Sequence, residues 1–287
     1  MKKILVTGAA GQLGRCIHNL APQFPECEFD FLSKSDLDIE NNTALREHLE
    51  NNSYDYCINT AGYTNVEKAE EESDRAFNLN ALSVQALSNL CHKHDIVLIH
   101  PSTDYVFDGN SNEPYTEKAS TNPLSVYGKS KLKGEENIEI SGCNYFIIRT
   151  SWLYSEHRNN FLKTVNHYAK QGKDMTITTE QTGSPTNAND LAEAILHIIS
   201  SDSKRFGLYH FSNKGQATWF YFAQRILEYS NQIGAIKLAK TEHYRTFAAR
   251  PKYSVLSTTL FEDTFKFEIK GWEQSLRLLL NKSNSKK

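Results

Sequence analysis

Short apolar runs and longer mixed stretches take turns along the first half of the chain. Ile4–Val6, Phe29–Leu32, Tyr56–Asn59, Ile96–His100 and Tyr145–Arg149 are runs of strand length. Between them lie stretches with helical spacing of apolar residues, such as Thr43–Asn51, Ser73–His92 and Val126–Ile138. This alternation predicts a parallel sheet with helices on both faces. Ligands of such sheets bind beyond the carboxyl ends of the strands, so the residues that follow each apolar run are where chemistry is expected.

After Trp152 the rhythm changes. A helix is predicted from Asn159–Phe161 through Lys170, a short strand at Thr176–Thr178, an amphipathic helix over Asp190–Ile199, a strand at Leu208–Phe211 and a helix over Thr218–Tyr229. In the last of these, Trp219, Phe220 and Phe222 are spaced as core residues, which favours packing over a stacking platform. No Pro/Gly/Ser-rich linker marks a boundary and no internal repeat is evident. Residues 281–287 read as a solvated, flexible tail.

The first apolar run ends in Gly8-x-x-Gly11-x-x-Gly14, and a helix pattern follows through Leu20. A strand, a glycine turn and a helix N-terminus together make a pyrophosphate cradle: the glycines let the backbone approach, and the first amides and the helix dipole hold the anion. The spacing is one residue longer than the usual dinucleotide fingerprint. Without a ligand, the same residues are a tight strand-to-helix turn.

A second motif lies between the fourth and fifth runs. Ser102-Thr103-Asp104-Tyr105 stands just after a strand, and Tyr127 and Lys131 are four residues apart, one turn of a helix on a single face. A phenol ionises near pH ~10, and a neighbouring ammonium favours the phenolate, moving it toward working pH. Alone, this pair is an ordinary solvated helix face; with the glycine turn upstream it becomes a candidate acid or base.

Together these stretches resemble the extended short-chain dehydrogenase/reductase family, which carries a three-spaced glycine turn, a Ser/Thr ahead of the tyrosine and a Tyr-x-x-x-Lys pair. The resemblance runs in order through most of the chain: Gly8–Gly14 with Gln12-Leu13, Leu37-Asp38-Ile39, Asn59–Glu70, Ser102–Gly109, Tyr127–Glu135, Arg149–Tyr154, Gln181–Thr186 and Arg250-Pro251. It implies an α/β fold: a Rossmann-type doubly wound parallel sheet in residues 1–150, and a smaller C-terminal substrate domain mainly in 151–280, with later segments returning to the first domain. It also implies reduction of a ketone on a nucleotide sugar. Thr103 and Tyr127 would stabilise charge on the carbonyl oxygen, Tyr127 would deliver the proton, and Lys131 would lower the tyrosine and hold the nicotinamide ribose.

The same resemblance assigns the remaining candidates. Gly8, Gly11, Gln12, Leu13 and Gly14 would hold the cofactor diphosphate, Asp38 and Ile39 would flank the adenine, and Gly62, Tyr63 and Thr64 would lie under the adenosine and diphosphate. Asp104, Trp152, Asn160, Thr186 and Arg250 would meet the substrate, Arg250 through its pyrophosphate. From the residues alone, Asp104 is equally a turn cap, Trp152 an ordinary half-buried indole and Arg250 a surface arginine. Related dehydratases have Asp-Glu after the threonine; Tyr105 stands in the second place here, which argues against dehydration and for reduction. The alternatives left open are another sugar-nucleotide reductase or epimerase, and a non-catalytic NADP-binding regulatory subunit.

The second strand ends Phe31-Leu32-Ser33-Lys34. An acidic residue there would favour NAD; with none present, Ser33 and Lys34 are candidates for the extra phosphate and NADPH is expected, NADH being the alternative. Relatives that dimerise through a magnesium ion use a carboxylate just after the glycine turn, where this chain has Arg15-Cys16, so no metal is expected. The pair His92-x-His94 reads as a solvated helix end. A formal charge of -2 over 287 residues gives no reason to expect nucleic acid or an anionic membrane as partner. The apolar runs are too short to span a bilayer, and no signal segment precedes the first strand. Five scattered cysteines without metal-like pairing suit a reduced, cytoplasmic protein, expected as monomer or homodimer.

Overall fold

The computed structural model describes residues 1–242 and 246–284. The first half contains β1 (Lys2–Thr7), α1 (Gln12–Leu20), β2 (Cys27–Leu32), α2 (Asn42–Asn51) and β3 (Tyr56–Asn59). It continues through α3 (Val66–Ala69), α4 (Ser73–Phe77), α5 (Ser83–Lys93), β4 (Val97–Thr103), α6 (Val126–Ile140) and β5 (Tyr145–Thr150). The single helix expected over Ser73–His92 is α4 and α5 joined through a π-helical turn at Asn78–Leu82.

Six strands form one sheet in the order β2-β1-β3-β4-β5-β10, where β10 is Gly207–His210, and every pairing is parallel. The chain winds one way from β1 to β2 and the other way from β3 onward, which opens the topological switch point between β1 and β3. The pleat sorts neighbouring residues to opposite faces. Ile4 and Val6 of β1 join a cluster with Ile17 of α1 and with Leu191 and Ile195 of α8 (Ala188–Ser200). Leu5 joins a second cluster, with Leu45 of α2, Leu87 of α5 and Ile138 of α6. Residues 56–58, 97–99 and 146–148 divide the same way, so each strand is buried on both sides.

The second half supplies β6 (Leu153–Tyr154), α7 (Phe161–Lys170), β7 (Met175–Thr178), β8 (Thr182–Gly183) and β9 (Thr186–Asn187), then α8 and β10. After these come β11 (Ala217–Thr218), α9 (Trp219–Tyr229), β12 (Leu238–Thr241), α10 (Thr259–Phe265) and α11 (Trp272–Asn284). It builds its own apolar cluster, in which Val165 of α7, Phe222 and Ile226 of α9 and Trp272 and Leu276 of α11 meet. Other parts serve the first half: α8 packs on α1, β10 extends the main sheet, and Phe261 and Phe265 of α10 enter its core. Neither α10 nor α11 was legible as a pattern. α11 buries Leu279 and Leu280, and its backbone stays helical through Asn284, four residues into the expected tail.

Gly8 shows why the first turn is glycine. Its φ is +65°, and a Cβ there would stand 2.5 Å from the Ala61 nitrogen, because the chain leaving β3 crosses the turn directly.

Candidate active site

β4 ends in Thr103, and the chain turns at once into a single 3₁₀ turn over Asp104–Val106. α6 begins beyond it, capped by Ser125, whose hydroxyl accepts from the Gly128 amide at 3.1 Å. Gly128 must be glycine for a second reason: a Cβ there would meet the Tyr105 carbonyl at 2.3 Å. This close approach brings Tyr127 beside Tyr105, with ring centroids 5.6 Å apart edge to face, and sets the phenol within hydrogen-bonding reach of the Thr103 hydroxyl.

Electrostatics here differ from the expectation in one respect. Burial pushes the Tyr127 phenol well above its usual value, opposed by the Thr103 hydrogen bond and reinforced by Asp104. Lys131 does not pull it down. Its side-chain nitrogen is turned to His100 Nε2 and to the Pro101 carbonyl, each at 2.9 Å. Burial lowers Lys131 to about 8, with Glu135 acting the other way. The phenol therefore enters as a protonated group, the state a proton donor needs. Asp104 is 2% exposed, and burial raises its carboxyl to about 6. Its Oδ1 receives the Thr103 hydroxyl at 3.2 Å, while Oδ2 has no hydrogen-bond partner.

A buried ion pair ties these elements together. Arg149 of β5 donates to Glu135 of α6 at 2.6 Å through Nη2, and Ser102, next to Thr103, donates to the same carboxylate. The Glu135 and Arg149 side chains are 2% and 5% exposed.

A cavity of about 600 Å³ opens over this triad. It brings together Thr103, Asp104, Tyr127 and Lys131 with Gly11, Gln12 and Leu13 of the glycine turn and with Gly62, Tyr63 and Thr64 after β3. Asn80 holds the latter loop, accepting from the Tyr63 amide at 2.8 Å and donating to its carbonyl at 3.0 Å. Gly8 and Gly14 lie beneath and shape the turn. Gly11 begins α1 without a side-chain cap, and no acidic residue stands in the first turn, which leaves that helix end suited to an anion.

Trp152, Asn160 and Arg250 line the opposite wall. Trp152 has φ +45° and stacks on Trp219 with centroids 3.6 Å apart and 6° between planes. Trp219, expected in the core, is thus part of the cavity wall, its indole nitrogen donating to Gln181 at 2.9 Å; Phe222 alone of that trio is fully buried. Asn160 caps α7 and donates to Gln12 at 2.7 Å, so it spans the cleft with its polar atoms already engaged. Arg250 donates to the Tyr105 hydroxyl at 2.6 Å and to Glu67 at 2.5 Å, and Glu67 also accepts the Phe247 and Ala248 amides. A second pocket of about 480 Å³, with Tyr168, Met175 and Ile177 in its lining, shares Phe161, Trp219 and Arg250 with the first.

Four candidates lie elsewhere. Thr186 is fully buried in β9, its hydroxyl spent on the Ser184 carbonyl. Ile39 is 2% exposed in the second core cluster. Lys34 is paired with Asp38 at 3.2 Å and Glu40 at 2.7 Å, which occupies both Lys34 and Asp38. Ser33 does line a groove of about 420 Å³ beside the glycine turn, together with Arg15 and His18. The strand end is not free of carboxylates as expected: Asp36 folds back to accept the Ser33 amide at 2.9 Å and hydroxyl at 2.6 Å. Nearby, Cys16, Glu156 and His157 bring ligand-type atoms within 4.8 Å of one another, and burial holds the Cys16 thiol up at about 12. All five cysteines are free.

The sequence matches the family described as the RmlD substrate binding domain over residues 1–285. It is 35% identical to the spore coat polysaccharide biosynthesis protein SpsK of Bacillus subtilis, covering 99% of both chains. It is 34% identical to a dTDP-4-dehydrorhamnose reductase of Aggregatibacter actinomycetemcomitans, covering 96% of this chain and 98% of that one. Among solved structures, a dTDP-4-dehydrorhamnose reductase from Bacillus anthracis in complex with NADP superposes with a TM-score of 0.91 at 34% identity, over 98% of this chain and 99% of that one.

Proposed function

From the RmlD substrate binding domain family, to which this chain belongs, we propose that it is the NADPH-dependent reductase of the carbon-4 ketone of dTDP-4-dehydro-L-rhamnose. The product is dTDP-L-rhamnose, a precursor for surface polysaccharide. One observation carries this reading: Thr103, Tyr127 and Lys131 face the same cavity whose floor is the uncapped N-terminus of α1.

That floor fits a dinucleotide. The first-turn amides of α1 are unclaimed by any side chain, and Gly11 and Gly62 let a ligand lie against backbone. NADPH, when bound, supplies the hydride. The protein's own groups do the rest. Thr103 and Tyr127 donate hydrogen bonds to the ketone oxygen, where negative charge grows. Tyr127, protonated because it is buried, passes its proton to that oxygen, and Lys131 returns one to the phenolate. Asp104 Oδ2, buried and without a partner, accepts a sugar hydroxyl. Tyr105 offers no carboxylate for eliminating water. Arg15, which faces the groove beside Ser33, takes the role expected of Lys34 toward the extra phosphate of NADPH.

Residues 151–280 contribute most of the substrate side. Trp152 and Trp219 form an aromatic wall, Arg250 meets the diphosphate, and the adjoining pocket at Met175 and Ile177 receives the base. We place the protein in the cytoplasm as a monomer or homodimer; among the described residues no helix is long and apolar enough to cross a membrane.

The test is to follow NADPH absorbance while offering a panel of nucleotide 4-keto sugars. Net oxidation of NADPH with dTDP-4-dehydro-L-rhamnose is expected. No turnover of that sugar, or turnover without net use of the cofactor, would overturn the assignment.

A further inference from the structure

Behind the cavity a buried chain of hydrogen bonds runs from β1 through β3 and β4 to Lys131, and its directions are fixed by one backbone amide. Asn59 is 1% exposed, and its Oδ1 accepts from the Ala61 amide at 3.2 Å and from the Thr7 hydroxyl at 2.7 Å. A backbone N–H can only donate, so the oxygen end of the Asn59 amide is settled. The other end, Nδ2, lies 3.2 Å from His100 Nδ1. An amide nitrogen also only donates, so Nδ1 must accept. His100 is fully buried, and burial holds it well below its usual range, so the ring carries a single proton. That proton is on Nε2.

Nε2 faces the Lys131 nitrogen at 2.9 Å. An N–H opposite an ammonium sets donor against donor. The same N–H opposite an uncharged amine is a good hydrogen bond, with the amine lone pair as acceptor, and the amine still donates to the Pro101 carbonyl at 2.9 Å. Every bond in the chain is satisfied only when Lys131 is uncharged. We propose that His100 is a positioning residue that favours the neutral amine of Lys131 in the free protein at alkaline pH, so that NADPH binding there is coupled to uptake of one proton at Lys131. The proton comes from solvent and goes onto the amine lone pair. The charged Nζ then leaves His100 and turns to the nicotinamide ribose, the contact the family resemblance implies for it, and from there can return a proton to the phenolate; the inference rests on the proposed function.

The surrounding charges are consistent with this. Elements packed against α6 bring Glu67 and Lys68 of α3, Asp74 and Arg75 of α4, His92 and Lys93 of α5, His100 of β4, and Asp104 and Tyr105 of the turn after β4. Of these only His100 bonds to Lys131. On α6 itself Tyr127 stands one turn before it. Glu135, one turn after, is the carboxylate that acts on it, and that charge is answered by Arg149.

Two measurements test the proposal. In the free protein, ring nitrogen NMR shifts of His100 should show Nε2 protonated and Nδ1 bare; the opposite tautomer overturns it. Calorimetric titration with NADPH, repeated in buffers of different ionisation enthalpy at pH 9, should show uptake of about one proton per site, with affinity weakening roughly tenfold per pH unit. His100→Gln can turn an amide oxygen toward Lys131, and Asn59→Asp keeps His100 but forces its proton onto Nδ1. Either variant should leave the lysine charged and abolish the uptake; uptake unchanged in both overturns the proposal. Binding of NADPH with no buffer dependence in the unaltered protein sinks the inference alone. Absence of NADPH binding sinks the proposed function, and the coupling with it.

Discussion

The two walls of the cavity are built on different principles. The wall formed by β4 and α6 is buried and locked: Lys131 is 6% exposed, and the Glu135–Arg149 pair beneath it is 2% and 5% exposed. The facing wall is assembled from loops and helix ends. There the Arg250 and Glu67 side chains are 22% and 40% exposed, and Trp152 leans on Trp219 across 67 residues of sequence. Groups that must meet a developing charge gain from being preorganised, because no energy is then spent reorienting them at the moment of reaction. Groups that admit and release a nucleotide sugar need partners they can exchange. If this division is right, damage to the first wall should appear in turnover and stability, and damage to the second in KM.

The largest effect is expected at Tyr127. Tyr127→Phe removes the proton donor and leaves the ring packed against Tyr105, so turnover should fall by about 10²–10⁴-fold, with NADPH affinity within about twofold of the unaltered protein. Stopped-flow turnover and fluorescence titration measure the two. A large loss of cofactor affinity with little change in turnover would place Tyr127 in binding and erase the contrast between the walls.

Next comes the ion pair under the same wall. Glu135→Gln leaves Arg149 buried without its countercharge, and breaking such a pair costs about 3–5 kcal/mol. Chemical denaturation should show a lower midpoint at an unchanged slope. Replacing both partners together by apolar residues should recover most of the loss, since the exposed alternative for both charges is water. If Glu135→Gln costs under ~1 kcal/mol, the first wall is not locked by this pair.

How far these walls could be read from the chain follows from the same difference. Thr103, Tyr127 and Lys131 were legible because two lie on one helix at four-residue spacing and the third ends a strand whose apolar run is plain. The glycine turn was legible because Gly8 and Gly14 answer local steric demands. Trp219 was not: its spacing on α9 matches the core, and only the stacking partner 67 residues upstream turns it into a cavity wall. Glu67 gave no signal, because its meaning comes from Arg250, 183 residues later. Lys34 and Thr186 carried suitable chemistry, but Asp38, Glu40 and the Ser184 carbonyl had already claimed them. His100 sat inside an apolar run, and its role depends on the direction of one amide in β3.

Asp104 sharpens the comparison through pH. Its folded-state carboxyl is raised by burial to about 6 from a usual 3.8, so between those values the folded protein binds the proton that the unfolded chain has lost. Stability therefore falls as pH rises from about 4 to about 6, by roughly 3 kcal/mol in all if nothing else intervenes. Asp104→Asn should flatten that decline in urea midpoints measured across the window, while KM for the nucleotide sugar rises about tenfold, as for one lost charged hydrogen bond. A decline that survives the substitution would assign it to another group. The opposed signs would show that the first wall accepts a stability cost to keep a free acceptor facing the substrate.

The smallest effect is expected from the second wall. Glu67 holds Arg250 and the Phe247 and Ala248 amides in the way an anionic ligand would. An incoming diphosphate competes with it for the guanidinium. Half-exposed ion pairs are worth about 0.2–1 kcal/mol, so loosening this one by Glu67→Gln should lower KM by about two- to fivefold and leave kcat unchanged. The sign is what matters. If KM rises instead, Glu67 is shaping the loop for the substrate and belongs with the preorganised wall; if it falls, the carboxylate is a placeholder that the substrate evicts, and the two walls differ in kind as well as in burial.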